Sequence, residues 1–95
     1  MERRAFVWNV GKARKNLAKH GVSFSEALSV FDDPLARIDD DPDHSLAERR
    51  EIIFGQSRAG RLLLVSFTER GDNIRVISAR QPDSDERKRY EEEIL

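Results

Sequence analysis

Cysteine is absent from this chain. That excludes a disulfide scaffold, a thiol nucleophile, an iron–sulfur cluster and every cysteine-based zinc site, and it fits a reducing compartment. Histidine is scarce: His20 and His44 stand apart, with no carboxylate at metal-ligand spacing, so neither a metal nor any other cofactor is expected. The aspartates between Asp39 and Asp43 lack the glycine and the closing glutamate of an EF-hand loop. Glycine is sparse, and Gly55, Gly60 and Gly71 fall at strand ends and turns, so no phosphate-cradling loop exists. No apolar run approaches the ~18 residues that a membrane span needs, and Met-Glu-Arg-Arg opens the chain without a signal-peptide core. A cytoplasmic protein with no membrane association is the expectation. Neither sign of charge prevails, with 17 Lys+Arg against 18 Asp+Glu, which argues against a general nucleic-acid binder and moves attention to how the charges are distributed.

What is present is 95 residues, 38% hydrophobic and 37% charged, enough for one domain spanning 1–95 with a small core and a working site in a surface groove. Charge is segregated along it. Arg3, Arg4, Lys12, Arg14, Lys15 and Lys19 make the first twenty residues basic, while Asp32, Asp33, Asp39, Asp40, Asp41 and Asp43 make the stretch 32–43 acidic.

The fold class is α+β. Phe6-Val7-Trp8 reads as a short edge strand. A helix is expected from Lys12 to His20 with Ala13 and Leu17 inward, ended by Gly21. Ser23-Phe24-Ser25-Glu26 has the form of a capping box opening a second helix, with Phe24, Ala27, Leu28 and Phe31 on one face. Asp32-Asp33-Pro34 stops that helix. Leu35 to Asp39 can form a strand before an acidic loop from Asp39 to Ser45. Glu51 to Gln56, Arg61 to Thr68 and Asn73 to Arg80 then read as an antiparallel meander with turns at Ser57–Gly60 and Arg70–Asp72. Leu62 to Val65 is apolar on both faces, as a central strand requires. A closing helix begins at Asp83 or Ser84, boxed by Glu86, with Arg87, Tyr90 and Ile94 inward. The expected architecture is two N-terminal helices packed on a small antiparallel sheet, followed by a C-terminal helix.

Chemistry has to come from arginine. In a regular strand Arg75 and Arg80, five positions apart, face opposite sides, and Arg49 and Arg50 also project oppositely. These residues either solubilise an open sheet face or gather around a phosphodiester. Attack by a neighbouring 2′-hydroxyl needs a base, an acid and cations around the charged phosphorane, and no metal. The planar guanidinium fork suits the cationic role. His20, at the end of a basic helix, can supply a proton or a further cation, or simply cap the helix.

Lys19-His20-Gly21-Val22-Ser23-Phe24, Glu26-Ala27 and Val30-Phe31 come first. Glu48 and Arg50 before Ile53-Phe54-Gly55, then Leu62 to Val65, Ile74 to Arg80, Glu86-Arg87 and Tyr90-Glu91 follow in order. Together they resemble the BrnT family of toxins across nearly the whole chain. Asn9, where the family usually has aspartate, and Glu51, where a large apolar residue often stands, depart from its pattern. The resemblance implies a RelE-like fold and a metal-independent endoribonuclease that inhibits translation. It also implies a ribbon-helix-helix antitoxin like BrnA, through which alone operator DNA is bound. On this resemblance Arg50, Arg80 and His20 are the expected catalytic residues, and Lys19, Arg75 and Glu48 the expected RNA-binding ones; the general base is not identified. The alternative is a non-catalytic interaction module, or an inactive toxin acting as corepressor with its antitoxin.

Overall fold

The computed structural model describes residues 5–41 and 49–94. Glu48 and His44, both singled out above, and most of the acidic loop after Asp41 lie outside the described residues.

Strand β1 (Ala5–Val7) leads into helix α1 (Val10–His20), which starts two residues earlier than its apolar pattern indicates. The reason is Asn9, whose side-chain oxygen accepts the Lys12 amide at 3.0 Å. Gly21, at φ 68°, supplies the left-handed residue that ends α1. Ser23 caps helix α2 (Phe24–Leu28) by accepting the Glu26 amide at 3.0 Å. The reciprocal half of the expected capping box is not made, because the Glu26 carboxylate turns instead to Arg61 and to Ser57, 2.7 Å from the Ser57 hydroxyl. A charged bidentate partner outcompetes one backbone amide. A 3₁₀ turn (Ser29–Asp32) completes this segment.

Strands β2 (Arg37–Asp40), β3 (Glu51–Gln56), β4 (Leu62–Arg70) and β5 (Asn73–Arg80) form the meander, and α3 (Ser84–Ile94) closes the chain. The sheet order is β1-β5-β4-β3-β2, which places the all-apolar Leu62–Val65 segment in the central strand, as expected. The sheet is not wholly antiparallel: β1 pairs parallel with Asn73, Ile74 and Arg75 of β5, since α1 and the whole meander separate the two strands in sequence.

One face of the sheet carries Ile53, Leu63, Val65, Phe67, Ile74, Val76 and Ala79, and buries them against Val22, Phe24, Ala27 and Val30 of the helical layer. Leu17 is half exposed, contrary to the 3.6-residue reading, and the buried residue of α1 is Asn16. Its carboxamide donates to the carbonyls of Val22 and Ala79 and accepts the Ala79 amide. A polar side chain therefore occupies the place where an apolar one was expected, because it serves the unpaired edge of β5 beyond the short β1.

The second face of the sheet is only partly covered. Helix α3 lies over its β2–β3 end, where Tyr90 stacks on Phe54 with ring centroids 4.7 Å apart. Arg37 and Glu93 pair across the same contact at 2.9 Å. The α3 box forms in full, with Glu86 donating its amide to Asp83 and accepting the Asp83 amide in return. Arg87 is not inward as expected; it is exposed and pairs with Glu91, so the inward positions among the described side chains of the helix are Glu86 and Tyr90, with the side chain of Ile94 outside the described ones.

Candidate functional site

The site is built by an irregularity in β5. Ser66 of β4 faces Ser78, but the next residue, Phe67, faces Val76, so Ile77 is an extra residue without a partner. A bulge of this kind inverts the alternation of side chains beyond it. Val76 and Ala79, an odd number of positions apart, consequently both enter the core. For the same reason Arg75 and Arg80 share the second face, opposite Thr68 and Leu64, which corrects the expectation that they face opposite sides.

Two rows of side chains cross that face. Arg80, Leu64, Phe54 and Arg37 are successive cross-strand neighbours, as are Ser78, Ser66, Ile52 and Asp39. Between β3, β4 and β5 the rows enclose a hollow of about 250 Å³. Arg50, Arg80, Ser66, Ser78 and Asp41 line it over an apolar floor of Ile52, Leu64 and Ile77. Arg49 does not line the hollow; it is exposed and held by Asp40 at 2.9 Å.

Arg80 is oriented rather than loose. Its Nη1 and Nη2 donate to the two Glu86 carboxylate oxygens at 2.8 and 2.9 Å, and Nη1 also donates to the Gln81 carbonyl at 3.3 Å. Glu86 thus takes the end of the guanidinium. The side edge, made of Nε and the outer Nη2 hydrogen, makes no hydrogen bond among the described residues and is itself a two-pronged anion fork. The Ser66 hydroxyl donates to Asp41 Oδ2 at 3.3 Å on the opposite side of the hollow.

The pair also marks the titration of the site. The Glu86 carboxyl is held down at about 2, chiefly by the hydrogen bonds from Arg80, against an opposing contribution from burial. Its folded-state pKa lies below the ordinary 4.5, so its stabilising contribution is complete above about pH 4.5 and is lost as pH falls toward about 2. Both side chains are partly exposed, which limits the contribution to on the order of 1–2 kcal/mol. Urea unfolding at pH 6 and pH 2.5 should show a larger loss for the native chain than for Glu86→Gln. Equal losses would show that the pair does not stabilise the fold.

The hollow brings together two of the expected catalytic residues, Arg50 and Arg80. His20, half-buried at the end of α1, and Lys19, exposed beside it, do not line the hollow, and neither does Arg75, although it shares the face. Sequence reasoning missed Asp41, Ser66 and Ser78. The signal available was the polar turn of β4, where Leu62, Leu64, Ser66 and Thr68 occupy alternate positions and the second half becomes hydroxylic.

Among the described residues no group of three or more His, Cys, Asp or Glu side chains could hold a metal ion. No described helix is long and apolar enough to cross a membrane. No curated protein sequence matches the chain. Among solved structures, the ribonuclease toxin BrnT of Brucella abortus, determined at 1.1 Å, shares the fold with a TM-score of 0.66 at 22% identity. That match covers 86% of this chain and all of the Brucella chain. The family model described as "Ribonuclease toxin, BrnT, of type II toxin-antitoxin system" matches residues 8–86, from the end of β1 to the Glu86 that holds Arg80. The chain therefore belongs to the BrnT family of ribonuclease toxins.

Proposed function

We propose that this chain, as one domain over residues 1–95, is a RelE-like, metal-independent endoribonuclease that inhibits translation and is neutralised by a ribbon-helix-helix antitoxin like BrnA. The observation that carries the reading is the convergence of Arg50, just before β3, and Arg80, at the end of β5, on one hydroxyl-lined hollow.

In this reading the scissile phosphate sits in the hollow with a non-bridging oxygen on the Arg80 side fork. Arg50 faces it from the segment entering β3, and both cations oppose the charge that grows on the phosphorane. The hydroxyls of Ser66 and Ser78 add neutral donors to the same oxygens. Asp41 takes the 2′-hydroxyl proton as that oxygen bonds to phosphorus, the P–O5′ bond breaks with the departing 5′-oxygen taking a proton from solvent, and the oriented Arg80 needs no rearrangement of its own as charge develops. Lys19, His20 and Arg75 bind the flanking backbone. The protein would act in the cytoplasm, and operator DNA would be reached only through the antitoxin.

The Glu86 pairing favours a second reading, in which Arg80 is structural and the chain acts as an inactive corepressor. Incubation of the purified protein with total RNA in EDTA separates the two. Fragments ending in 2′,3′-cyclic phosphates are the expected product. Intact RNA at high protein concentration would sink the nuclease reading and favour the corepressor.

A further inference from the structure

A second hollow of about 350 Å³ adjoins the first, between β2, β3 and α3. Ile52 and Leu64 lie under both, and Glu86 on the rim of the second holds Arg80 in the first, so the two form one trough. Strands lie about 4.8 Å apart, which puts the centres of the two hollows roughly 10 Å from each other. A base attached to a nucleotide whose phosphate occupies the first hollow can reach that far.

The chemistry of the second hollow suits a base better than a second phosphate. Its floor is apolar and broad, made by Ile52, Phe54, Leu64 and Tyr90. Three of its rim carboxylates are already engaged: Asp40 with Arg49, Glu93 with Arg37 and Glu86 with Arg80. Asp39 and Arg89 are left, hydrogen-bonded to no other side chain among the described residues. Asp39 is the cross-strand neighbour of Ile52, so it stands directly at the edge of the floor. A carboxylate accepts from an exocyclic amine, and a guanidinium donates to the ring nitrogen or carbonyl next to that amine. Cytosine, adenine and guanine each present both groups, whereas uracil has no exocyclic amine and its one ring donor, N3–H, lies between two carbonyl oxygens that repel an approaching carboxylate.

We infer that this hollow is a base subsite for an amino-bearing base next to the scissile phosphate, with Asp39 reading the amine and Arg89 the adjacent acceptor. The inference rests on the nuclease reading for its substrate class, and a binding measurement tests it separately. The native chain would be titrated with the 2′-O-methyl dinucleotides of cytidine, adenosine, guanosine and uridine, whose blocked hydroxyls prevent cleavage. The three amino-bearing dinucleotides are expected to bind at least fivefold tighter than the uridine one. Asp39→Asn, whose amide can also donate to a uracil carbonyl, is expected to bring all four within about twofold. Equal binding by the native chain, a preference that survives in Asp39→Asn, or no binding of any dinucleotide would each overturn the subsite. The nuclease reading stands or falls on the EDTA assay alone, so the two failures are distinct.

Discussion

Arg80→Ala is expected to lower RNA cleavage by about 10²–10³-fold while the chain stays folded. Loss of one preorganised donor to a developing oxyanion costs that much in other enzymes. The fold should survive because Glu86 keeps its reciprocal hydrogen bonds with Asp83, so the start of α3 is still capped. Arg80→Lys is the sharper control. It preserves the charge but removes the two edges that let one side chain hold Glu86 and a phosphate together, and it should recover little of the lost rate. Glu86→Gln should behave differently, since the guanidinium then keeps its charge and loses its orientation, giving a smaller loss. Initial rates on a defined RNA, with circular dichroism on each variant, decide the matter. A folded Arg80→Ala protein that cleaves within about threefold of the native rate would remove Arg80 from the reaction.

The fold was legible where a local rule acts alone. Gly21, Ser23, Asp83 with Glu86, and the apolar Leu62–Val65 run each signal one outcome, and the structure follows them. The candidate site was less legible because it depends on longer-range pairings. Arg75 and Arg80 come onto one face only through the Ile77 bulge, and no glycine or proline in that stretch announces it. The bulge is set by how β4 and β5 slide against each other while both bury apolar residues on the helical side, a condition that no single strand reveals. Glu86 was readable as a helix cap, yet its role in holding Arg80 needs the closing helix to come back across the sheet. Ser66 and Ser78 look like ordinary strand residues until register puts them opposite each other. The acidic stretch from Asp32 was legible as charge but not as partners: Asp33 accepts the amides of Leu35 and Gln56, and Asp40 holds Arg49.

Asn16→Leu is expected to be the most destabilising substitution of a polar residue outside the hollow. Strand β1 covers only Asn73 to Arg75, so β5 presents an unpaired edge further along, and at Ala79 that edge meets a side chain instead of a strand. The Asn16 carboxamide matches both backbone groups of Ala79, donating to its carbonyl at 2.8 Å and accepting its amide at 3.1 Å. Its second hydrogen goes to the Val22 carbonyl at 2.9 Å, which ties the end of α1 to the start of the next helix. Leucine fills a similar volume but leaves three backbone groups without partners in a site where residue 16 is 8% exposed. Each such orphan costs about 1–3 kcal/mol. The three together cost on the order of 3–9 kcal/mol, offset in part by burial of the leucine, and the remainder is a large share of the 5–15 kcal/mol that holds a typical domain together. Urea unfolding at neutral pH measures it directly. Asn16→Asp is the companion variant: it keeps the acceptor for the Ala79 amide but loses both donors, and it should recover only part of the difference. If Asn16→Leu unfolds within about 0.5 kcal/mol of the native chain, the edge of β5 is satisfied by water, and α1 is held to the sheet by its apolar contacts alone.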